Sequence, residues 1–378
     1  MTRHGPAAYR DGVAVEPDHG THISAQPDTV AVRSGEELDW AAVESFLRAG
    51  LPDLEGQLEV LQFPKGSANL TYLLRFDDRR LVLRRPPFGR LAPGAHDMAR
   101  EYRTLSRLWR AFPPAPRALL FCDDENVVGS KFFVMEYRAG TGIWDEIPAS
   151  MRHHTDVGRR VGFAVIDALA DLHRVDPATC GLEDLGKPEG FVARQVSGWR
   201  KRWELVAPDS GLPAMHDAAA ELERTQPLSA RVAILHNDMK IDNCQFDPDD
   251  PDRVHSVFDW DMATLGDPLV DLGTTLNYWP DASDRPGDWG VYTKGLERIG
   301  LPSQSEVVER YSGLTGIDLS DIGWYQAFAT WKTAVVLQQL YDRYRRGETA
   351  DERMATRGER VPELAERALR LLGRGGSR

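Results

Sequence analysis

Residues 231–273, RVAILHNDMKIDNCQFDPDDPDRVHSVFDWDMATLGDPLVDLG, constrain this chain more than any other stretch. Two apolar runs, 232–235 and 254–258, are too short for helices and are bounded by polar and turn residues. Both read as short buried strands. Between them lies a polar loop with His236, Asp238, Lys240 and Asn243, and the second run ends on Asp259 and Asp261, either side of Trp260. Polar side chains gathered where strands end are a common way for a rigid scaffold to present a site.

The spacing His-x-Asp-x-Lys-x-x-Asn, followed by Asp259, has a mechanical reading as phosphoryl-transfer chemistry. Such chemistry needs a carboxylate to orient the attacking hydroxyl, oxygen ligands for magnesium, and positive charge near the moving group. Asp238 suits the first role, Asn243 and Asp259 the second, and Lys240 the third. His236 is placed to brace the loop rather than to react.

On these residues the stretch resembles the catalytic and metal loops of the protein kinase-like superfamily, where HRDLKxxN is followed by DFG. It is most similar to the aminoglycoside phosphotransferase family, with HGDxxxxN, then DWE or DWD, then GDPxxDL. Here those elements read HNDMKIDN, DWD and GDPLVDL. Asn237 departs from the pattern by replacing a glycine, which stiffens that turn.

The bland readings apply elsewhere. The DPDDPD run at 247–252 is a solvated turn, since it lacks the glycine and closing Glu of a calcium loop. Three widely spaced cysteines, Cys122, Cys180 and Cys244, read as reduced thiols, with Cys244 a packing residue. At 378 residues, two lobes are the default. The net charge of −12 argues against nucleic acid or an anionic membrane as the main partner. No run approaches the ~18 apolar residues of a membrane span, and no signal-peptide core is visible, so a cytoplasmic location is expected.

Residues 1–35 show no sustained period and read as a disordered tail. Helix signals start near Ser34, with Glu36 and Glu37 in the first turn and Gly50 and Pro52 as terminators. Strand patterns follow at 58–63, 71–76 and 81–85, the first two forming a hairpin. Its tip holds Gly66, Ser67 and Asn69, where small residues let backbone N–H groups approach an anion. The family has a similar nucleotide-covering loop. By the same resemblance, Arg84 takes the position of the usual phosphate-binding lysine, and Glu101, on a helix at 97–110, that of its ion-pair partner. Arg keeps the charge and changes the geometry. The LR-x-PP pattern at 83–87 resembles the branch related to kinase-like domains fused to acyl-CoA dehydrogenases. The resemblance makes 131–137 the last strand of the small lobe and the start of the hinge, where backbone groups near Glu136 and Tyr137 would meet adenine.

Beyond 138 helical patterns dominate. His173 lies on a buried helix at 158–173 and reads as a core or capping residue. The segment 190–203 is basic and aromatic, a solvated face with Trp199 and Trp203 packed inward, or a partial anion site through Arg194, Arg200, Lys201 and Arg202. Asp267 and Asp271 read as an N-cap and a loop-bracing carboxylate. Asn277, Tyr278 and Trp279 fall where the family builds its acceptor pocket. A long amphipathic helix spans 327–346, and a last helix runs over 362–372.

The expectation is a two-lobed α+β protein kinase-like fold. It comprises a nucleotide-binding lobe at 36–138, with a small antiparallel sheet, and a mostly helical catalytic and acceptor-binding lobe at 139–378. The implied activity is transfer of the γ-phosphoryl group of ATP, with Mg²⁺, to a hydroxyl of a small metabolite such as a hydroxyacyl compound. The implied assembly is a monomer or homodimer. Alternatives are an antibiotic phosphotransferase and a nucleotide-binding regulatory pseudokinase. A metallohydrolase reading of His236, Asp238, Asp259 and Asp261 fails, because no second His sits at ligand spacing and Asn243 would be idle.

Overall fold

The computed structural model describes residues 28–375, except 65–68, 78, 90–95, 208–211, 230, 281–294 and 350. The first lobe begins with α1 (Trp40–Gly50), whose cap is Asp39, accepting from the Ala42 N–H at 3.0 Å. The helix therefore starts later than the sequence signals near Ser34 suggest. Glu36 is diverted to the sheet instead: its carbonyl accepts from the Tyr72 hydroxyl at 2.6 Å and its carboxylate from Gln62 at 2.5 Å. Val30, inside the stretch expected to be a tail, forms an antiparallel bridge with Gln62; residues 1–27 lie outside the described residues.

Five strands make the lobe's antiparallel sheet: β1 (Glu59–Gln62), β2 (Leu70–Phe76), β3 (Arg79–Arg85), β4 (Ala118–Cys122) and β5 (Phe132–Glu136), in the order β1-β2-β3-β5-β4. Between β3 and β4 lies α2 (Met98–Leu108). Alternation along β3 sorts its side chains between two cores. Leu81 and Leu83 pack with Val43, Phe46 and Leu47 of α1 on one face. Val82 points the other way, toward Leu105 and Leu108 of α2. Arg84 follows in register with Val82, and so emerges on the α2 side of the sheet.

The second lobe is mostly helical. After β6 (Thr141–Gly142) come α3 (Val157–Arg174), α4 (Phe191–Val206) and α5 (Pro213–Arg224). The strands β7 (Ala233–Leu235), β8 (Cys244–Asp247), β9 (Asp250–Val257) and β10 (Thr264–Gly266) follow. Then come α6 (Pro268–Asn277), α7 (Gln304–Thr315), α8 (Ile322–Arg345) and α9 (Val361–Gly375). The two apolar runs do become strands, but in different sheets: β7 pairs with β10, and β9 with β8, which also pairs with β6. The acidic run at 247–252 is shorter as a turn than its composition suggests. β9 already begins at Asp250, and Asp252 is held by Arg160 at 2.6 and 2.8 Å.

The long helix α8 packs on α4, α5, α6 and α9 and carries buried Trp331, whose indole N–H donates to the Met215 carbonyl at 3.1 Å. Where α6 crosses α8 the approach is close. A Cβ placed on Gly273 would sit 2.6 Å from the Tyr325 carbonyl.

Candidate active site

Strand β7 ends at Leu235 and delivers His236, Asn237 and Asp238 into a turn held from below by Asp271 of α6. The backbone N–H groups of His236 and Asn237 donate to the Asp271 carboxylate at 2.6 and 2.5 Å. His173 Nε2 lies 3.2 Å from the same carboxylate, and its Nδ1 is 2.6 Å from the Tyr311 hydroxyl. Burial works to raise the Asp271 pKa, but His173, His236 and the backbone donor outweigh it, so the carboxylate is held below its ordinary range. His173 is thus a core residue, as its pattern suggests, and Asp271 braces the loop. Asp267 caps α6 by accepting from the Leu269 N–H at 2.9 Å.

His236 Nε2 donates to the Phe258 carbonyl at 2.9 Å, because a carbonyl can only accept. That leaves Nδ1 to accept from the Asp238 N–H at 3.3 Å. His236 therefore ties the loop to the strand end that carries Asp259. A second tie lies beside it: the Phe258 N–H donates to the Asn243 carbonyl at 2.9 Å.

Asp238 is surrounded by the other loop residues. Asn243 Nδ2 donates to its carbonyl at 2.8 Å and to its carboxylate at 3.1 Å, and Lys240 Nζ lies 3.1 Å from the same oxygen. Lys240 also sits 5.0 Å from the centre of the Tyr278 ring. Burial would lower the Lys240 pKa, yet Asp238 and Tyr278 outweigh it, leaving the ammonium more firmly charged than usual.

Across from this loop, Asp259 occupies the left-handed region at φ 69°, an uncommon place for a residue with a side chain. Arg84 donates to its carboxylate, and the same guanidinium lies 3.1 Å from Glu101 of α2. The second contact is a close ion pair without hydrogen-bond alignment, since neither Arg84 Nε nor Glu101 Oε2 has a hydrogen-bond partner among the described residues. Burial pushes the Glu101 carboxyl up to about 7 against the pull of Arg84. Burial likewise opposes ionisation of Asp259, but Arg84, His236 and Lys240 together keep its pKa below normal. The neighbouring Asp261 is pushed up to about 6 by burial and by the Asp259 charge.

The remaining expected positions are distributed unevenly. Asn69 is buried, with its Oδ1 2.8 Å from His96 Nδ1, and its amide nitrogen has no hydrogen-bond partner among the described residues. Gly66 and Ser67 lie outside the described residues. The Glu136 carboxylate accepts from the Arg117 N–H at 2.9 Å and from Arg138 at 2.6 Å, while its own N–H donates to the Arg117 carbonyl. Tyr137 lies under Arg80, 4.5 Å from ring centre to guanidinium. On α4, Arg200 is paired with Glu223 at 2.7 Å, and Arg194 with the carbonyls of Lys187 and Glu189, so neither is left for an external anion.

Two participants carry little signal in the sequence. His96 sits one residue before the α2 cap, in no periodic pattern, at φ 57°. Thr275, on the buried face of α6, donates to the Met239 carbonyl at 2.8 Å and so fixes the loop from a distance. Only its place one turn after Asp271 hints at this.

The donor set suits a hard cation shared with phosphate oxygens. Among the described residues no group of three or more His, Cys, Asp or Glu side chains is arranged to hold a metal alone. Asn243 and Asp259 offer oxygen ligands at the ends of adjacent strands, and Asp259 Oδ2 makes no hydrogen bond among the described residues. Magnesium is usually held by one or two such protein ligands, with phosphates completing the shell.

A five-stranded antiparallel lobe packed on a helical lobe, with an Asp–Lys–Asn loop facing an Asp at a strand end, is the two-lobed protein kinase-like fold. The chain belongs to the APH phosphotransferase enzyme family, whose model matches residues 59–298. It is 33% identical over 359 residues to acyl-CoA dehydrogenase family member 11 of Gallus gallus, covering 92% of this chain and 45% of that protein. The chain thus spans less than half of that relative. Among solved structures, a candidate aminoglycoside phosphotransferase from Ralstonia eutropha superposes with a TM-score of 0.75 at 29% identity, over 89% of this chain and 99% of the other. A thermostable aminoglycoside phosphotransferase mutant solved with AMP-PNP and hygromycin B shares the fold at TM-score 0.55 and 17% identity, over 89% and 100%.

Proposed function

We propose that the chain transfers the γ-phosphoryl group of ATP, with Mg²⁺, to a hydroxyl of a small metabolite. The observation that carries this reading is the convergence of Asp238, Lys240 and Asn243 on one side with Asp259, Arg84 and Glu101 on the other. The fold neighbour solved with AMP-PNP supports a nucleotide in this cleft.

Each residue then has a task. Asp238, in contact with Lys240 and Asn243, orients the acceptor hydroxyl and takes up its proton. Lys240 keeps its positive charge beside Asp238 and offsets negative charge that builds there. Asn243 and Asp259 present oxygens to the metal, and Arg84, braced by Glu101, presents donors to phosphate oxygens. Bound Mg·ATP supplies the phosphoryl group and the charge neutralisation that spreads over it during transfer. Positioning and electrostatics carry most of the rate in such a site.

For the acceptor, a hydroxyacyl compound is the favoured class. The support is the similarity to a segment of acyl-CoA dehydrogenase family member 11. A panel of alcohols, including hydroxyacyl compounds, aminoglycosides and macrolides, assayed for ADP release with magnesium and again with EDTA, tests the reading. Acceptor-dependent release that EDTA abolishes is expected. Tight nucleotide binding with no transfer to any alcohol would favour a regulatory nucleotide-binding role instead.

A further inference from the structure

Three polar groups gather at one tryptophan of α4, and among the described residues none of them has a hydrogen-bond or ion-pair partner. Trp199 of α4 is 7% exposed, and its indole N–H has no acceptor among the described residues. Arg202, one turn along α4, lies with its guanidinium carbon 4.2 Å from the centre of that ring. Lys332 of α8 places its ammonium 5.5 Å from the same centre. Among the described residues, neither cation has a carboxylate within ion-pairing distance, although 12 more acidic than basic residues in the chain make such partners plentiful. The contrast within α4 is direct, because Arg200 is paired with both Glu204 and Glu223.

The cluster is linked to the reaction centre by position and by charge. Thr333, next to Lys332, accepts from the Asn277 amide at 3.0 Å, and Asn277 precedes the Tyr278 on which Lys240 rests. Burial lowers the Lys332 pKa, and the charges of Asp238 and Asp271 oppose that shift, so Lys332 stands within electrostatic range of the proposed base. An unpaired ammonium and a buried indole N–H with nothing to donate to are both costly in the absence of an anion.

We propose that Trp199, Lys332 and Arg202 form an anion subsite that holds the negatively charged group of the acceptor whose hydroxyl is presented to Asp238. This inference rests on the phosphotransferase reading and narrows its substrates to alcohols bearing a carboxylate or phosphate. Trp199 supplies a directional N–H and a flat wall, Lys332 the inner charge, and Arg202, which is exposed, the outer one. Cationic alcohols are disfavoured by the same two charges.

The test uses full-length protein carrying 5-fluorotryptophan, saturated with Mg·AMP-PNP so that the nucleotide cleft is filled, with the Trp199 resonance assigned by W199F. Inorganic phosphate, a ladder of short ω-hydroxycarboxylates, and the matching neutral diols are titrated in turn. The Trp199 resonance should move saturably with the anions and stay still with the diols. Whichever of phosphate or carboxylate binds more tightly identifies the charged group. K332Q should weaken the anion response by about tenfold or more, the scale of one lost charged contact, while K332R restores part of it. R202Q, at an exposed position, should weaken the response without threatening the fold. A Trp199 resonance unmoved by every anion, or a K332Q response equal to that of the unaltered protein, overturns the subsite. Neither result touches the phosphotransferase reading, which ADP release decides separately. A D238A protein that still binds anions would show the subsite working without chemistry.

Discussion

Arg84 donates to the Asp259 carboxylate from 175 residues away in sequence, and the same guanidinium also meets Glu101. One side chain on β3 therefore joins the sheet, α2 and the strand end of the second lobe. Arg84→Ala removes the cation paired with a Glu101 that is 1% exposed, and breaking a buried pair from one side costs roughly 3–5 kcal/mol. Denaturant unfolding should show that loss. Arg84→Lys should recover part of the stability, because a charge remains while the two-sided contact does not. Equal stability of Arg84→Ala and the unaltered protein would show that the triad holds nothing together.

Asp238 differs from Arg84 in having its contacts within its own loop. Asp238→Ala should lower turnover about 10²- to 10⁴-fold, the usual range for losing a positioned general base, with AMP-PNP affinity by calorimetry nearly unchanged. Asn243→Ala should behave differently: it removes both a proposed metal oxygen and the amide that donates to Asp238 at 3.1 Å. Its loss should therefore be larger at low magnesium and partly recovered at high magnesium. A defect in Asn243→Ala that ignores magnesium concentration would leave that residue only its bracing role.

The site loop was legible in the sequence because its parts are local. Short apolar runs, a polar turn and an acidic pair fall in order within one stretch, and a strand pattern needs only neighbours. Alternation on β3 even implies the face from which Arg84 emerges. What stayed hidden depends on distant chain. Asp39 rather than Ser34 caps α1, because Glu36 is taken by Gln62 and Tyr72 of the sheet. The two apolar runs enter different sheets, a choice made by β8 and β10 rather than by either run. His96 reaches Asn69 across 27 residues with no periodic signature. The grouping of Trp199, Arg202 and Lys332 likewise needs α4 and α8 to be placed side by side.

Acid should weaken the fold through Asp271. Its folded pKa is depressed below the ordinary carboxylate value of about 4, so it contributes stability that is fully present above that value. The contribution is lost as pH falls below about 4 toward the folded pKa. Asp271→Asn should cost on the order of 3 kcal/mol near neutral pH, from charge-assisted bonds to the His236 and Asn237 N–H groups. It should also flatten the dependence of unfolding free energy on pH in the acid range. Parallel acid-unfolding curves for the two proteins would exclude Asp271 as a source of that dependence.

Asn237 stands where the family pattern has glycine, and its backbone explains why the pattern prefers one: φ is 66°. Asparagine tolerates this region better than most side chains, and here its amide also donates to the Met262 carbonyl at 2.9 Å. Two opposing effects then set the outcome of substitution. Asn237→Gly relieves the backbone but gives up the Met262 bond, and the two nearly cancel, leaving a change within about 1 kcal/mol. Asn237→Ala loses the bond and keeps a Cβ in the left-handed region, which costs a further 1–2 kcal/mol or so. Thermal unfolding should therefore rank the unaltered protein and Asn237→Gly close together and well above Asn237→Ala. Because Asn237 adjoins Asp238, turnover should follow the same order, the alanine protein falling furthest as the loop loses its hold on the base. An alanine variant as stable and as active as the glycine variant would mean that the positive φ does not constrain this turn.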